Sequence, residues 1–384
     1  MRKIVVVTDS RAEYGVLKHI LKKISDSPRL DLYMIVTGAH LSETYGYTIK
    51  EIEKDGFTVS EKIPVCVEEN ENIRVAVEMG HLMNRLAHGF VRIRPDILLI
   101  LGDRYEMLAA ASVAVGMHIP IAHISGGEVT EGAMDEQIRH AITKMAHIHF
   151  PGASVYARNI RKMGEESWRI FDVGDPGIEN IKNIRIREKE ELEADLGITI
   201  GKDTLLVTYH PVTLERDALE WQINSLVSAL KHFGGSKVIT YPNTDDGSSL
   251  IIRKFNEYAA EDPSVCLVES LGIERYISIM NYCGAVVGNS SSIVIETPFM
   301  KVPAVNIGNR QAGRLMARNI ICCGYTEDVI KTAIGRALSP EFVSVAAGCT
   351  SLYGEGDTSF RIVDVLEHIP LNDKLLKKKL EWEE

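Results

Sequence analysis

With 384 residues, 45% of them hydrophobic and 25% charged, the chain has an ordinary globular composition and is long enough for two domains of about 150–200 residues each. Its formal charge of −10 excludes a general binder of nucleic acid or of anionic membrane surfaces, so an anionic ligand must be met by local cations and backbone amides. The six cysteines form no C-x-x-C pair and no Cys/His metal spacing, and the opening apolar run is too short for a signal sequence. A cytoplasmic protein with reduced thiols is expected.

Short apolar, β-branched runs alternate with amphipathic stretches along the chain. KIVVVT (3–8) leads into a helical pattern at 13–25, and DLYMIVTG (31–38) is followed by another at 72–91. DILLILG (96–102), IPIAHISGG (119–127), a helix at 135–147, HIHF (147–150) and RIFDVG (169–174) continue the series. This rhythm implies right-handed βαβ units and a parallel sheet. It breaks in the charge-rich stretch 176–203 and restarts with TLLVTYH (204–210), SKVITYP (236–242), SVCLVES (264–270), GAVVGNS (284–290) and VPAVNIG (302–308). The expectation is an α/β protein of two doubly wound, Rossmann-like domains facing a central cleft. Their bounds are read as 1–177 and 178–357, with a helix in 358–384 returning across the junction and a solvated or frayed end at 373–384.

Ligands of open parallel sheets bind beyond the carboxyl ends of the strands, and these ends are polar here. The first strand runs into TDSRAEYG, which lacks G-x-G-x-x-G, so a nicotinamide dinucleotide is not expected. Arg11, at a strand-to-helix turn, suits a phosphate, or is a surface arginine beside a Ser or Asp cap. Asp103 and Arg104 follow the strand in LGDRYE, and Glu128 follows His123 and two glycines in HISGGE. Carboxylates at consecutive strand ends converge on one rim. On the helix at 135–147, Asp135 and Arg139 share a face, as do Glu136 and His140. Either these are surface ion pairs, or an arginine orients a catalytic carboxylate.

The second half ends its strands on His210, on Asn243 and on Ser290–Ser292. Three hydroxyls at a helix N-terminus sit beside free amides and the positive end of the helix dipole, which favours an anion. Glu296, further along that helix, is placed to accept both hydroxyls of a ribose. Arg310 and Arg314 follow the next strand as diphosphate contacts. The sum describes a nucleotide-sugar enzyme, its second domain built for the diphosphate and its first lined with carboxylates.

These motifs resemble the hydrolysing UDP-N-acetylglucosamine 2-epimerases: SRAEYG (10–15), GDRYE (102–106), GGE…DEQIRHAITKMAH (126–147), HPVT (210–213), GNSSS…E (288–296) and NIGNRQAGR (306–314), in order along nearly the whole chain. The resemblance implies a GT-B-like fold and homodimers or homotetramers. It implies conversion of UDP-N-acetylglucosamine to N-acetylmannosamine plus UDP, in nonulosonic (sialic-type) acid biosynthesis. Bacterial relatives of that family act on the 2,4-diacetamido-2,4,6-trideoxy analogue, on the way to legionaminic acid. It places Arg11, Arg104, His210, Asn243, Ser290, Ser291, Glu296 and Arg310 around UDP, and Asp103, Glu128, Asp135 and Arg139 around the sugar, with Asp135 and Glu136 as rivals for one role. Asp103 and Glu128 form the expected acid/base pair, and neither cofactor nor metal is required. A non-hydrolysing epimerase, a GT-B glycosyltransferase and a non-catalytic nucleotide-sugar sensor remain the alternatives.

Overall fold

The computed structural model describes residues 1–43, 46–64, 73–129, 134–242 and 247–381, which divide into two compact units. The first is Met1–Asn180 with Tyr353–Glu384, and the second is Ile181–Leu352. Among the described residues no helix is long and apolar enough to cross a membrane.

Six strands build the first sheet: β1 (Arg2–Thr8), β2 (Leu30–Val36), β3 (Val59–Lys62), β4 (Ile97–Leu101), β5 (Ile121–Ile124) and β6 (Ile148–Phe150). All pairings are parallel and the spatial order is β3-β2-β1-β4-β5-β6. The second sheet repeats the plan with β7 (Leu205–Thr208), β8 (Lys237–Thr240), β9 (Val265–Val268), β10 (Ala285–Gly288), β11 (Ala304–Ile307) and β12 (Ile320–Cys323), in the order β12-β11-β10-β7-β8-β9. Each sheet therefore reverses direction once, between β1 and β4 and between β7 and β10. Those two reversals are where strand ends leave a crevice.

Local sequence explains the elements that flank these crevices. The helix Arg11–Asp26 starts because the Ser10 hydroxyl accepts from the Glu13 N–H (3.5 Å), and it buries Tyr14, Leu17, Ile20, Leu21 and Ile24 at helical spacing. In β10, Gly288 has φ +140°, and a Cβ there would lie 1.9 Å from the Thr208 carbonyl oxygen. Only glycine lets the end of β10 press against β7.

Two expectations fail. RIFDVG is not a strand: Ser167–Arg169 is a short 3-10 turn, and the segment's one bridge in the sheet pairs Ile170 with His149. Nor is the end of the chain frayed through its described part. Leu375 is fully buried in the turn Asp373–Leu376, and Arg169 donates to the carbonyls of Lys374 (2.9 Å) and Leu375 (2.7 Å). Lys378 reaches the buried Glu165 at 2.8 Å. One lysine of the tail thus has a buried partner of opposite charge, which composition alone does not reveal.

Candidate functional site

At the reversal of the first sheet, β4 delivers Asp103 and Arg104, and β5 delivers Glu128. The buried Arg139 guanidinium, from the helix Met134–Met145, ties three segments together. It pairs with the Asp103 carboxylate, donates to the Glu128 carbonyl oxygen (3.2 Å) and lies 3.6 Å from Glu136. Glu136 also reaches His140 (2.9 Å). Asp135 is exposed in the first helical turn and makes no ion pair among the described residues. The Arg139 partner on its own helix is thus Glu136 at i,i+3, not Asp135 at i,i+4; both spacings share a face. Behind them the buried His123 bridges Gly102 O (2.8 Å) and Thr143 Oγ1 (3.3 Å), and burial pushes its pKa down to about 4. A neutral ring donates through Nε2 to Gly102 and so fixes the turn that carries Asp103.

The other side of the same crevice holds further residues of TDSRAEYG and LGDRYE, to which spacing assigns no role. Asp9, Glu13 and Glu106 are all buried, and the Arg104 guanidinium bonds to the Asp9 carboxylate and to Glu106 (3.0 and 3.2 Å). Glu13 accepts from the Asp9 N–H (3.1 Å). Asp9 Oδ1 and Glu13 Oε1 are buried with no hydrogen-bond partner among the described residues. Burial and then Asp9's charge raise Glu13 well above the carboxylate range, and the same causes push Glu106 up to about 7. Arg104 is accordingly a cation held from behind, half-exposed toward solvent. Arg11, on the neighbouring helix, is more open and pairs with Glu51 at 3.2 Å. The legible signal for this cluster was Asp9, an acidic residue directly after the buried strand β1.

In the second unit a cavity of about 480 Å³ lies at the β7/β10 reversal. Its lining includes His210, Ser290, Ser291, Ser292 and Glu296, together with Thr208, Tyr241, Leu271 and Tyr276. The helix Ser292–Met300 opens toward it. No side chain caps that terminus: Ser292 N makes only a weak contact to Ser290 Oγ (3.4 Å), while the next two amides, of Ile293 and Val294, donate to the carbonyls of Ser290 (3.2 Å) and Ser291 (3.0 Å). The buried Tyr276 hydroxyl meets Ser292 Oγ at 2.6 Å, and burial raises its pKa. Arg310 is not in the lining, but Nη1 donates to the Asn289 carbonyl (3.2 Å) at the cavity's edge. Asn243 lies outside the described residues. The loops flanking the cavity are bound to each other. Glu215, beyond His210, accepts from Tyr325 (2.5 Å), Gln222 (2.7 Å) and, in the Arg310 loop, Asn309 (3.3 Å).

Two parallel sheets with this strand order, one ending in carboxylates and arginines and the other in a serine-lined helix terminus, define a GT-B-like enzyme fold of two Rossmann-like halves. The chain belongs to the UDP-N-acetylglucosamine 2-epimerase family, whose model matches residues 22–367. It is 39% identical over 83% of its length to the GDP/UDP-N,N′-diacetylbacillosamine 2-epimerase (hydrolyzing) of Campylobacter jejuni, covering 84% of that protein. It is 35% identical over 98% of its length to the UDP-N,N′-diacetylbacillosamine 2-epimerase (hydrolyzing) of Legionella pneumophila, covering 99% of it. Its fold matches the UDP-GlcNAc 2-epimerase of Neisseria meningitidis solved bound to UDP-GlcNAc, with TM-score 0.77, 17% identity and coverage of 95% of this chain and 99% of that one.

Proposed function

We propose that the protein is a hydrolysing 2-epimerase that takes a UDP-linked 2-acetamido sugar to the free 2-epimeric sugar plus UDP. The observation that carries this reading is the division of chemistry between the two strand-end sites: a serine-lined helix terminus in one, carboxylates held by arginines in the other. Of the two substrates that family membership leaves open, UDP-N,N′-diacetylbacillosamine is favoured over UDP-N-acetylglucosamine. The relatives at 39% and 35% identity are named for N,N′-diacetylbacillosamine, and a relative named for UDP-N-acetylglucosamine stands at 30%.

The proton on C2 of such a sugar is not next to a carbonyl and is barely acidic. Breaking the C1–O bond first places positive charge on C1 and acidifies C2–H. The site therefore has to stabilise the departing diphosphate, which suits the amides of Ser290 and Ser291 and the guanidinium of Arg310. Glu296 holds the ribose, and His210 and Asn243 complete the UDP contacts, with Arg11 and Arg104 toward the phosphates. A carboxylate from the set Asp103, Glu128 and Asp135 or Glu136 takes the C2 proton to leave a glycal. Water then adds across the double bond with C2 inverted and a proton returned from a second carboxyl. Arg139 aims its partner carboxylate.

The test is an NMR time course in D2O with each nucleotide sugar. Free UDP and a 2-epimeric sugar carrying deuterium at C2 are expected, faster from the diacetamido substrate. A UDP-linked epimer, or product with the original hydrogen at C2, sinks the mechanism; faster turnover of UDP-N-acetylglucosamine sinks the substrate choice.

A further inference from the structure

Asn289 stands between Gly288, which closes β10 onto β7, and the serines of the helix terminus. It is fully buried, and every polar atom it has is engaged. Its side chain reads the backbone of His210 in both directions: Oδ1 accepts from the His210 N–H (2.7 Å), and Nδ2 donates to the His210 carbonyl (2.8 Å). Its own N–H donates to the Thr208 carbonyl (3.2 Å). Its carbonyl accepts from Arg310 Nη1 (3.2 Å) and from Nε2 of the buried Gln311 (2.9 Å). Three loops that leave three different strands, β7, β10 and β11, thus meet on one residue. They carry His210, Ser290 with Ser291, and Arg310.

We propose that Asn289 is the positioning residue of the phosphate subsite, an assignment that rests on the reading of this cavity as the UDP site. The paired contact with His210 is specific to an amide. A donor and an acceptor on one planar group match the N–H and C=O of one residue, and no other side chain of that length presents both. A leaving diphosphate is stabilised only by groups already in place when charge develops, because moving them during the reaction would cost reorganisation. Asn289 supplies that fixed geometry without touching the ligand. Its loss therefore weakens the hold on the phosphates and leaves the nucleoside end as it was.

This separation gives the experiment. Uridine affinity is measured by NMR titration and UDP affinity by calorimetry, for the wild type, Asn289→Asp and Gln311→Met. Asn289→Asp keeps the shape but turns an oxygen toward the His210 carbonyl. The gain in affinity from uridine to UDP is expected to fall about 10- to 100-fold in Asn289→Asp, the range for losing a buried hydrogen bond and leaving its partner unpaired. A fall of several-fold is expected in Gln311→Met, with uridine affinity unchanged in both. An unchanged gain in the folded Asn289→Asp protein overturns the assignment, as does equal loss for uridine and UDP. If Asn289→Asp does not fold, Gln311→Met decides by the same criterion. A wild type that binds no UDP instead overturns the reading of the cavity, and the assignment with it.

Discussion

Buried carboxylates decide the chemistry at the scale of single residues. Around Arg104 there are two more carboxylates than cations, and the nearby His40 does not restore the balance, since burial lowers its pKa. Glu106 titrates near 7 in the folded chain, against an ordinary 4.5. The folded state therefore binds a proton that the unfolded chain gives up at lower pH. This stabilisation is complete below about pH 4.5 and drains away as the pH rises through about 7, for a total of at most about 3 kcal/mol. Glu106→Gln, a neutral mimic of the protonated side chain, removes that pH dependence. Melting temperatures of wild type and variant, compared from pH 5 to pH 8, should diverge in the variant's favour as pH rises. His123 and His147, both pushed down to about 4, act in the opposite sense at lower pH and are common to both proteins. Parallel melting curves would show that Glu106 is ionised throughout.

At the scale of elements, hydrophobic pattern was a good guide to what is buried on both faces. The apolar runs of β1, β4, β7 and β10 are buried along nearly their whole length, and their sequences leave little choice but strand. The sheet margins were harder. β3 (VSEK) and β12 (IICC) are four-residue edge strands, largely half-exposed, and their ladder pairing owes more to the neighbouring strand than to their own composition. RIFDVG erred the other way: an apolar run filling a gap beside β6 without extending the sheet. The same contrast holds for the sites. Residues that repeat a motif are legible from spacing, whereas Asn289 acts through His210, far along the chain, and Glu106 and Glu13 through burial beside Asp9. Arg169 is another such residue. It is fully buried and donates to the His147 carbonyl (3.2 Å) and to Glu166 (2.7 Å) as well as to the tail carbonyls. Arg169→Met would leave several buried acceptors unmatched, at a cost of about 3–5 kcal/mol. Denaturant unfolding is expected to report that loss, together with faster amide exchange over residues 373–381. A change under about 1 kcal/mol would mean that water replaces the guanidinium and that the tail is not held by it.

For the whole molecule, the important fact is that the first unit is discontinuous in sequence while the second is not. The first unit needs the returning segment for its core. The helix Thr358–His368 and the residue after it bury Ile362, Val363, Leu366 and Ile369 in the same cluster as Leu17, Leu21 and Ile24. Arg2 donates to the carbonyls of Leu366 (2.8 Å) and Ile369 (2.7 Å), and Ser359 binds the Glu179 carboxylate through N–H (2.7 Å) and hydroxyl (2.5 Å). Four buried aliphatic side chains at about 1.5–3 kcal/mol each amount to roughly the entire stability of an ordinary domain. A chain ending at Leu352 should therefore lose the fold of the first unit. The second unit keeps its own core, its six strands and the cavity at β7 and β10. On the proposed reading, such a chain is expected to bind UDP and to turn over no nucleotide sugar. Hydrogen exchange followed by mass spectrometry should show protection over 205–352 and little over 1–180, with UDP adding protection only in the former. Persistent protection across β1 and β4, or residual epimerisation, would mean that the first unit's core stands without its returning helix.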